Sequence, residues 1–370
     1  MTATSTTETA GTNGQAAQTP FDPAKAEAFG GRIMQILGGG LMSLVVDIGH
    51  RTGLFAAASE GWATSDQLAA RAGLHERYVR EWLGAMTAAG ITEYDPAAGT
   101  FLLPPEHACA LAGPTGVGPL AVATTILARL VPQITRAFCE GGGVPYAAFG
   151  PEWTDAWDAV GRGVYDTMLV DGYLPLAPGL SDLLTAGARV ADVACGTGHA
   201  LIVLACAFPA ATFTGYDLDE HAIARARAEA AGAGLANVSF EVADAARLAG
   251  EARFDVIFVF DAIHDQAEPD AVLAGISRLL APGGLLFMRE PHGAGTLAEN
   301  LANPMAAIMY SASTLHCLTV SLAHGGPGIG TMFSAEQASR MLAAAGFAEP
   351  TVQPAPGVPA GAVYVTTKPA

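Results

Sequence analysis

The residues best placed to do chemistry stand at what read as the ends of successive strands. The string VADVACGTGHA, residues 190–200, runs from an apolar stretch around Asp192 into a turn carrying Ala194, Gly196 and Gly198. FTGYDLD holds Asp217, 19 residues after Gly198, followed by Leu218. EVADAARL holds Asp244 and Ala245, and FDVIFVFDAIHDQ holds Asp261, His264 and Asp265. Glu290 and His292 follow the next apolar run, and His316 lies in the string STLHCLTVSLA. A glycine turn after the first strand of an open parallel sheet is where a cofactor belongs. A dinucleotide site asks for G-x-G-x-x-G with pyrophosphate on the following helix N-terminus, but Leu201 stands where the third glycine should be. A carboxylate at Asp192, inside the strand, offers an anionic pyrophosphate nothing. It suits instead a ligand bearing an amino group and a positive sulfur.

These strings resemble the class I S-adenosylmethionine (SAM)-dependent methyltransferases, whose first motif runs acidic-x-G-x-G-x-G. DVACGTG matches at Asp192, Gly196 and Gly198, and departs at Ala194. The resemblance implies that Asp217 accepts the ribose hydroxyls, that Leu218 presses on the adenine, that Asp244 receives the adenine amino group, and that Ala245 offers a backbone N–H. Asp261 joins this cofactor set. His264 and His316 are the candidate catalytic bases. Asp265 is a residue that could orient the His264 ring, and Glu290 and His292 are candidate substrate contacts. Each histidine also has a purely structural reading, as a helix-capping or satisfied core residue. A metal set is not expected, because the spacing of the histidines and acids is loose. Methyl transfer is an in-line displacement in which the protein supplies alignment and a dry cavity, and a base only where the nucleophile must lose a proton.

Positioning these groups requires a doubly wound α/β sheet. Strands are expected near 189–193, 212–216, 238–242, 254–260, 285–290, 347–352 and 362–367, with helices between them. This is a seven-stranded Rossmann-like methyltransferase sheet spanning 185–370, with an insertion at 291–332. Those 42 residues exceed an ordinary connection, which points to a lid over the substrate hinged on the glycines of AHGGPGIG. Upstream, Thr64 and Gln67 have capping-box spacing, a helix stops at Gly73, and Val79, Leu83 and Met86 stripe the next one. A hairpin-like ITEYDPAAGTFLLP completes a helical winged-helix domain at 21–115. Residues 24–56 read as apolar helices split by the glycines at 38–40. Residues 116–184 read as a helical connector that covers the substrate, and residues 1–20 as a disordered tail.

The 370 residues carry a net charge of −17, 51% hydrophobic residues and 14% charged ones. Such a chain repels nucleic-acid phosphates and anionic lipid surfaces, and its second winged-helix helix is neutral, Glu76 and Glu81 offsetting Arg77 and Arg80. A ligand-sensing transcriptional regulator is therefore the weaker alternative, and an NAD(P)-dependent oxidoreductase weaker still. The apolar front helices suit a homodimer. No basic segment precedes Lys25, the five cysteines form no CxxC pair, and the apolar run at 116–133 is interrupted by Arg129 and Pro132. A cytoplasmic protein without a membrane span is the expectation. Tyr146, Phe149, Trp153 and Tyr165 point to a hydrophobic or aromatic small molecule as the substrate.

Overall fold

The computed structural model describes residues 20–113 and 116–370, so the expected tail lies, Pro20 apart, outside the described residues. Helix α1 (Pro23–Arg51) runs unbroken through Gly38–Gly40. This corrects the expected split: glycine keeps its backbone N–H, so it costs a helix about 1 kcal/mol without removing a hydrogen bond. The break falls instead at Gly53, which turns left-handed at φ 71° before α2 (Leu54–Ser59). Residues up to Met42 form a unit of their own, and Ser43–Ala370 forms a second.

In the second unit, α3 (Ser65–Ala72) starts on a reciprocal cap: Gln67 N–H donates to Thr64 Oγ1 at 3.3 Å and Thr64 N–H to Gln67 Oε1 at 2.8 Å. It ends at left-handed Gly73, and α4 (Glu76–Ala88) buries Val79, Trp82, Leu83 and Met86. The hairpin β1 (Glu93–Asp95) and β2 (Thr100–Leu102) forms the wing. Helices α5 (Pro105–Ala112), α6 (Pro119–Glu140) and α7 (Pro151–Met168) lead through α8 (Leu180–Thr185) into the sheet.

That sheet contains β3 (Arg189–Val193), β4 (Thr212–Asp217), β5 (Val238–Val242), β6 (Phe254–Phe260), β7 (Leu280–Pro291), β8 (Thr351–Pro354) and β9 (Gly361–Thr367), in the order β5-β4-β3-β6-β7-β9-β8. Strands β3 to β7 are parallel, while β9 lies antiparallel between β7 and β8. β6, FDVIFVF, is apolar at nearly every position because helices cover both its faces. One layer packs α8, α9 (His199–Ala207) and α10 (Glu220–Gly232) on Val190, Phe213 and Phe258. The other packs α11 (Pro269–Leu279) and α15 (Ala335–Ala344) on Ala191, Ile257 and Val259. The eighth strand starts four residues later than expected, after the buried Phe347 closes the second layer.

The 291–332 segment holds α12 (Leu297–Asn300), α13 (Ala306–Ala312) and α14 (Leu318–Ala323), the last two joined by a π-helical turn at Ser313–Cys317. It is bound on both sides. Val144 N–H donates to Thr319 Oγ1 at 2.8 Å, and Ser321 Oγ donates to the Gln266 carbonyl at 2.8 Å. Three of the glycines of 323–330, Gly326, Gly328 and Gly330, serve close approach: a side chain at Gly326 would meet the Ala267 backbone and one at Gly330 would meet Ser313 Oγ. Among the described residues, two helical stretches, Pro23–Arg51 and Ala306–Ala323, are long and apolar enough to cross a membrane by length and composition. The first was expected to be interrupted and is not.

Candidate functional site

The carboxyl ends of β3 to β6 open into a cavity of about 820 Å³. This is within the several-hundred Å³ range typical of small-molecule sites. It is lined by Ala194, Gly196, Asp217, Leu218, Asp244, Ala245 and Asp261 from the strand ends, and by Tyr146, Asp265, Gln266 and Val320.

The glycine turn is fixed from below. Gly196 N–H donates to Asp217 Oδ2 at 2.7 Å, and Asp219 N–H donates to Asp217 Oδ1 at 2.8 Å. Ala194 and Gly196 both take left-handed backbone, at φ 60° and 54°. Gly198, at φ 72°, faces away from the cavity: a Cβ there would collide with the Phe240 ring. The turn is also clamped by α7, where Asp158 accepts from Thr197 Oγ1 at 2.6 Å and from Arg162, while Arg162 reaches Glu229 at 2.7 Å.

Asp192 is buried, and neither carboxylate oxygen has a hydrogen-bond partner. Burial, and then the nearby Asp217, hold its carboxyl well above the usual range, with Arg289 opposing them. Burial also raises Asp217, against the backbone N–H groups that favour its charged form. Asp261, at φ 53°, pairs with Arg289 through Nη2 and through Nε at 3.3 Å. Arg289 is itself buried and donates to the Tyr173 and Tyr165 hydroxyls, each at 3.3 Å. Asp244 lines the cavity and caps Ala246 N–H at 2.9 Å.

Glu290 and His292 do not line the cavity. Successive residues of a strand face opposite sides, so Arg289 turns to Asp261 and Glu290 to the other face. There Glu290 is fully buried: Oε1 accepts from Ala262 N–H at 3.1 Å and Ile263 N–H at 2.7 Å, and Oε2 meets His264 Nδ1 at 2.6 Å. The carboxylate that orients His264 is thus Glu290, not the expected Asp265. His264 Nε2 lies 3.3 Å from Cys317 Sγ. Burial alone would lower the His264 pKa, but Cys317 and Glu290 outweigh it and raise it well above its ordinary value. His292 Nδ1 lies 3.4 Å from the Tyr364 hydroxyl.

His316 is buried beside this trio. It stacks on Trp153 at 4.4 Å and 29°, meets Phe149 and Tyr146 edge-on, and leaves Nε2 without a hydrogen-bond partner. Burial, with a small push from His264, lowers its pKa to about 3. Both histidines therefore sit one layer behind the wall, His264 next to Asp265 and His316 behind Tyr146. Arg289 and Cys317 were not foreseen in the sequence. Strand alternation next to Glu290 flags the arginine, whereas nothing local flags the cysteine. Among the described residues no group of three or more His, Cys, Asp or Glu side chains could hold a metal ion.

This fold and turn define a methyltransferase domain preceded by a winged helix. Residues 184–346 match the family model of a methyltransferase domain, and residues 40–113 match that of an Rv2258c-like winged HTH domain. The winged-helix match precedes the methyltransferase match along the chain. It is similar to a trans-aconitate 2-methyltransferase of Methylobacterium nodulans, 32% identical over 34% of this chain and 44% of that one. It is also similar to a nocamycin O-methyltransferase of Saccharothrix syringae, 33% identical over 39% and 52%. The chain thus spans about half the length of these curated relatives. Among solved structures, the mitomycin 7-O-methyltransferase MmcR superposes with a TM-score of 0.71 at 18% identity, covering 94% of this chain and 100% of that one. Human N-acetylserotonin methyltransferase, solved with SAM, gives 0.69 at 14% identity, covering 95% and 99%. At these identities the likeness shows the shared fold.

Proposed function

We propose that this chain is a SAM-dependent methyltransferase acting on a small, hydrophobic or aromatic molecule. The observation that carries the reading is Asp192: a buried carboxylate with both oxygens unpartnered, behind a left-handed turn that opens on a ligand-sized cavity. An uncompensated buried acid costs stability unless a ligand supplies the donor, and an ammonium is the donor that fits. Asp217, already oriented by two N–H groups, keeps lone pairs free for a ribose diol. Leu218, Asp244 and Ala245 would border the base, with Asp261 lining the same cavity. Bound there, SAM would supply an electrophilic methyl group.

His264 is the general base of this reading. Glu290 orients it through Nδ1 and strengthens its basicity; because the ring lies behind the cavity wall with Nε2 against Cys317, the acceptor's proton would have to reach it past that thiol. Tyr146 and Val320 form the substrate wall, with His316 packed behind Tyr146. Asp192 and Leu201 argue against a pyrophosphate ligand.

The reading includes a cytoplasmic homodimer. Phe29, Ile33, Met34, Ile36, Leu37 and Leu41 of α1 are all exposed, an apolar face that a second copy would cover. Calorimetry decides the cofactor: micromolar binding of SAM and none of NADH is expected, and the reverse removes the reading. Light scattering decides the dimer, with a monomer at micromolar concentration refuting it. Retention on anionic vesicles would reassign α1 to a lipid surface.

A further inference from the structure

Seven carboxylates line the cavity and no lysine or arginine does. Most of the seven are committed. Asp217, Asp219 and Asp244 accept backbone N–H groups, Asp261 pairs with Arg289, and Glu268 pairs with Arg247. Two are left, since among the described residues no hydrogen bond or ion pair reaches the carboxylate of Glu220, which is exposed, or of Asp265, which is half-buried in the cavity wall just past β6. Asp265 is the one set among other charges. Its Coulombic neighbours are His264 on the favourable side and Glu290, Asp217 and Asp261 on the unfavourable side. The remaining titratable groups facing this wall are Tyr146 and His324, neither a fixed cation.

We propose that the methyl acceptor carries a positive charge, a protonated amine or similar cation on a hydroxylated ring or chain, seated on Asp265, and that carboxylate-bearing acceptors are refused. The inference rests on the methyltransferase reading and narrows its substrate class. A carboxylate entering this wall meets several like charges in a partly dry cavity with no arginine to receive it, and an interface rejects such juxtapositions strongly. A cation gains the reverse, and it completes the unpaired side chain. The aromatic wall fits the same ligand, since Tyr146 presents a ring beside Asp265. The cavity polarity is thus opposite to what a tricarboxylate such as trans-aconitate, the acceptor for which one relative is named, would need.

Burial and the neighbouring acids push the Asp265 carboxyl up to about 7, opposed by His264. A bound cation would expel that proton, so its affinity should rise with pH between 6 and 8.

The test is calorimetric titration of the full-length protein, with and without saturating S-adenosylhomocysteine, using three one-ring probes: tyramine, p-cresol and 4-hydroxybenzoate. The expected result is tyramine binding at least tenfold tighter than p-cresol, with 4-hydroxybenzoate weakest. The tyramine preference should grow from pH 6 to pH 8 and disappear in Asp265→Asn. The pH arm uses the unaltered protein, so it stands even if the variant folds poorly. Equal or tighter binding of 4-hydroxybenzoate overturns the proposal, as does a preference that survives Asp265→Asn in a folded protein. Failure of tyramine to bind at millimolar concentration in both states overturns it too. If S-adenosylhomocysteine fails to bind while the tyramine preference persists, the cofactor reading falls and the cation site stands.

Discussion

Replacing Asp192 by asparagine should separate what this residue costs the fold from what it gives the ligand. In the folded chain its carboxyl is buried without a partner and stays protonated well above the usual range. In the unfolded chain it ionises near pH 4. The sign follows: above pH 4 the unfolded state has released a proton that the folded state keeps, so the folded protein loses stability as pH rises. The loss is about 1.4 kcal/mol per pH unit while the folded group remains neutral. Asp192→Asn removes that slope but leaves an unpaired amide costing about 1–3 kcal/mol. The pH dependence, rather than the absolute gain, is therefore the measure. Urea unfolding of the ligand-free protein at pH 4.5 and 6.5 should show the variant gaining as much as about 3 kcal/mol on the parent across that interval. Binding should move the other way. An ammonium held by a buried carboxylate is worth about 1.5–3 kcal/mol, so the variant should bind S-adenosylhomocysteine about tenfold to a hundredfold more weakly. Parent calorimetry repeated in buffers of different ionisation enthalpy should also show a proton released on binding, absent in the variant. A variant with the parent's stability slope and the same proton release would refute the assignment of Asp192 to a cationic ligand.

Asp217→Ala, which removes two charge-assisted acceptors from the cavity, should weaken SAM affinity at least about tenfold by calorimetry while the protein stays folded. Ala194→Gly relieves a non-glycine residue at φ 60°, and urea unfolding should show a gain of about 0.5–1 kcal/mol, with no gain if the turn is unstrained. His316 is held neutral down to about pH 3 by burial, so the unfolded state binds its proton first and the fold loses stability as pH falls below 6.5, by about 1.4 kcal/mol per unit. His316→Leu should flatten that acid limb, and an unchanged limb would place the ring in solvent. Glu290→Gln removes a contribution that raises His264, so the pH at which activity appears should fall along with the maximal rate; a loss of rate at unchanged pH profile would make Glu290 a purely structural residue.

The sheet was legible because short apolar β-branched and aromatic runs alternate with glycine or proline punctuation, and four of the seven strands start at the expected residue. The winged helix was legible through Thr64, Gln67 and Gly73, whose capping chemistry is local. Continuity of α1 was not, because a glycine triplet weakens a helix without the steric veto that proline imposes. Glu290 and His292 could be placed at the sheet edge from sequence, but the direction each faces depends on strand register and on what packs there. Gly198 shows the same limit: its motif position is local, while the Phe240 ring that forbids a side chain comes from another strand. Pairing of His264 with Cys317 joins residues 53 apart through a π-turn in an insertion, which no local pattern encodes.

The non-glycine residues in left-handed backbone are Ala194, Asp261 and Ala360 among the described residues. The first two end β3 and β6, neighbours at the centre of the sheet where the strand order changes direction. Each left-handed residue costs on the order of 1–2 kcal/mol. Nearby bonds offset that cost: Asp217 tethers Gly196, two residues after Ala194, and Arg289 grips Asp261. Asp192, the unpartnered acid, starts the same turn. The fold therefore concentrates backbone strain, an unpaired buried carboxyl and its acidic neighbours along one edge, while the helix-covered strand interiors are apolar and ordinary. Such a distribution is unfavourable for stability alone. It is what results when the backbone must bend away from a ligand and the acids must face a cation that the bare fold does not itself supply.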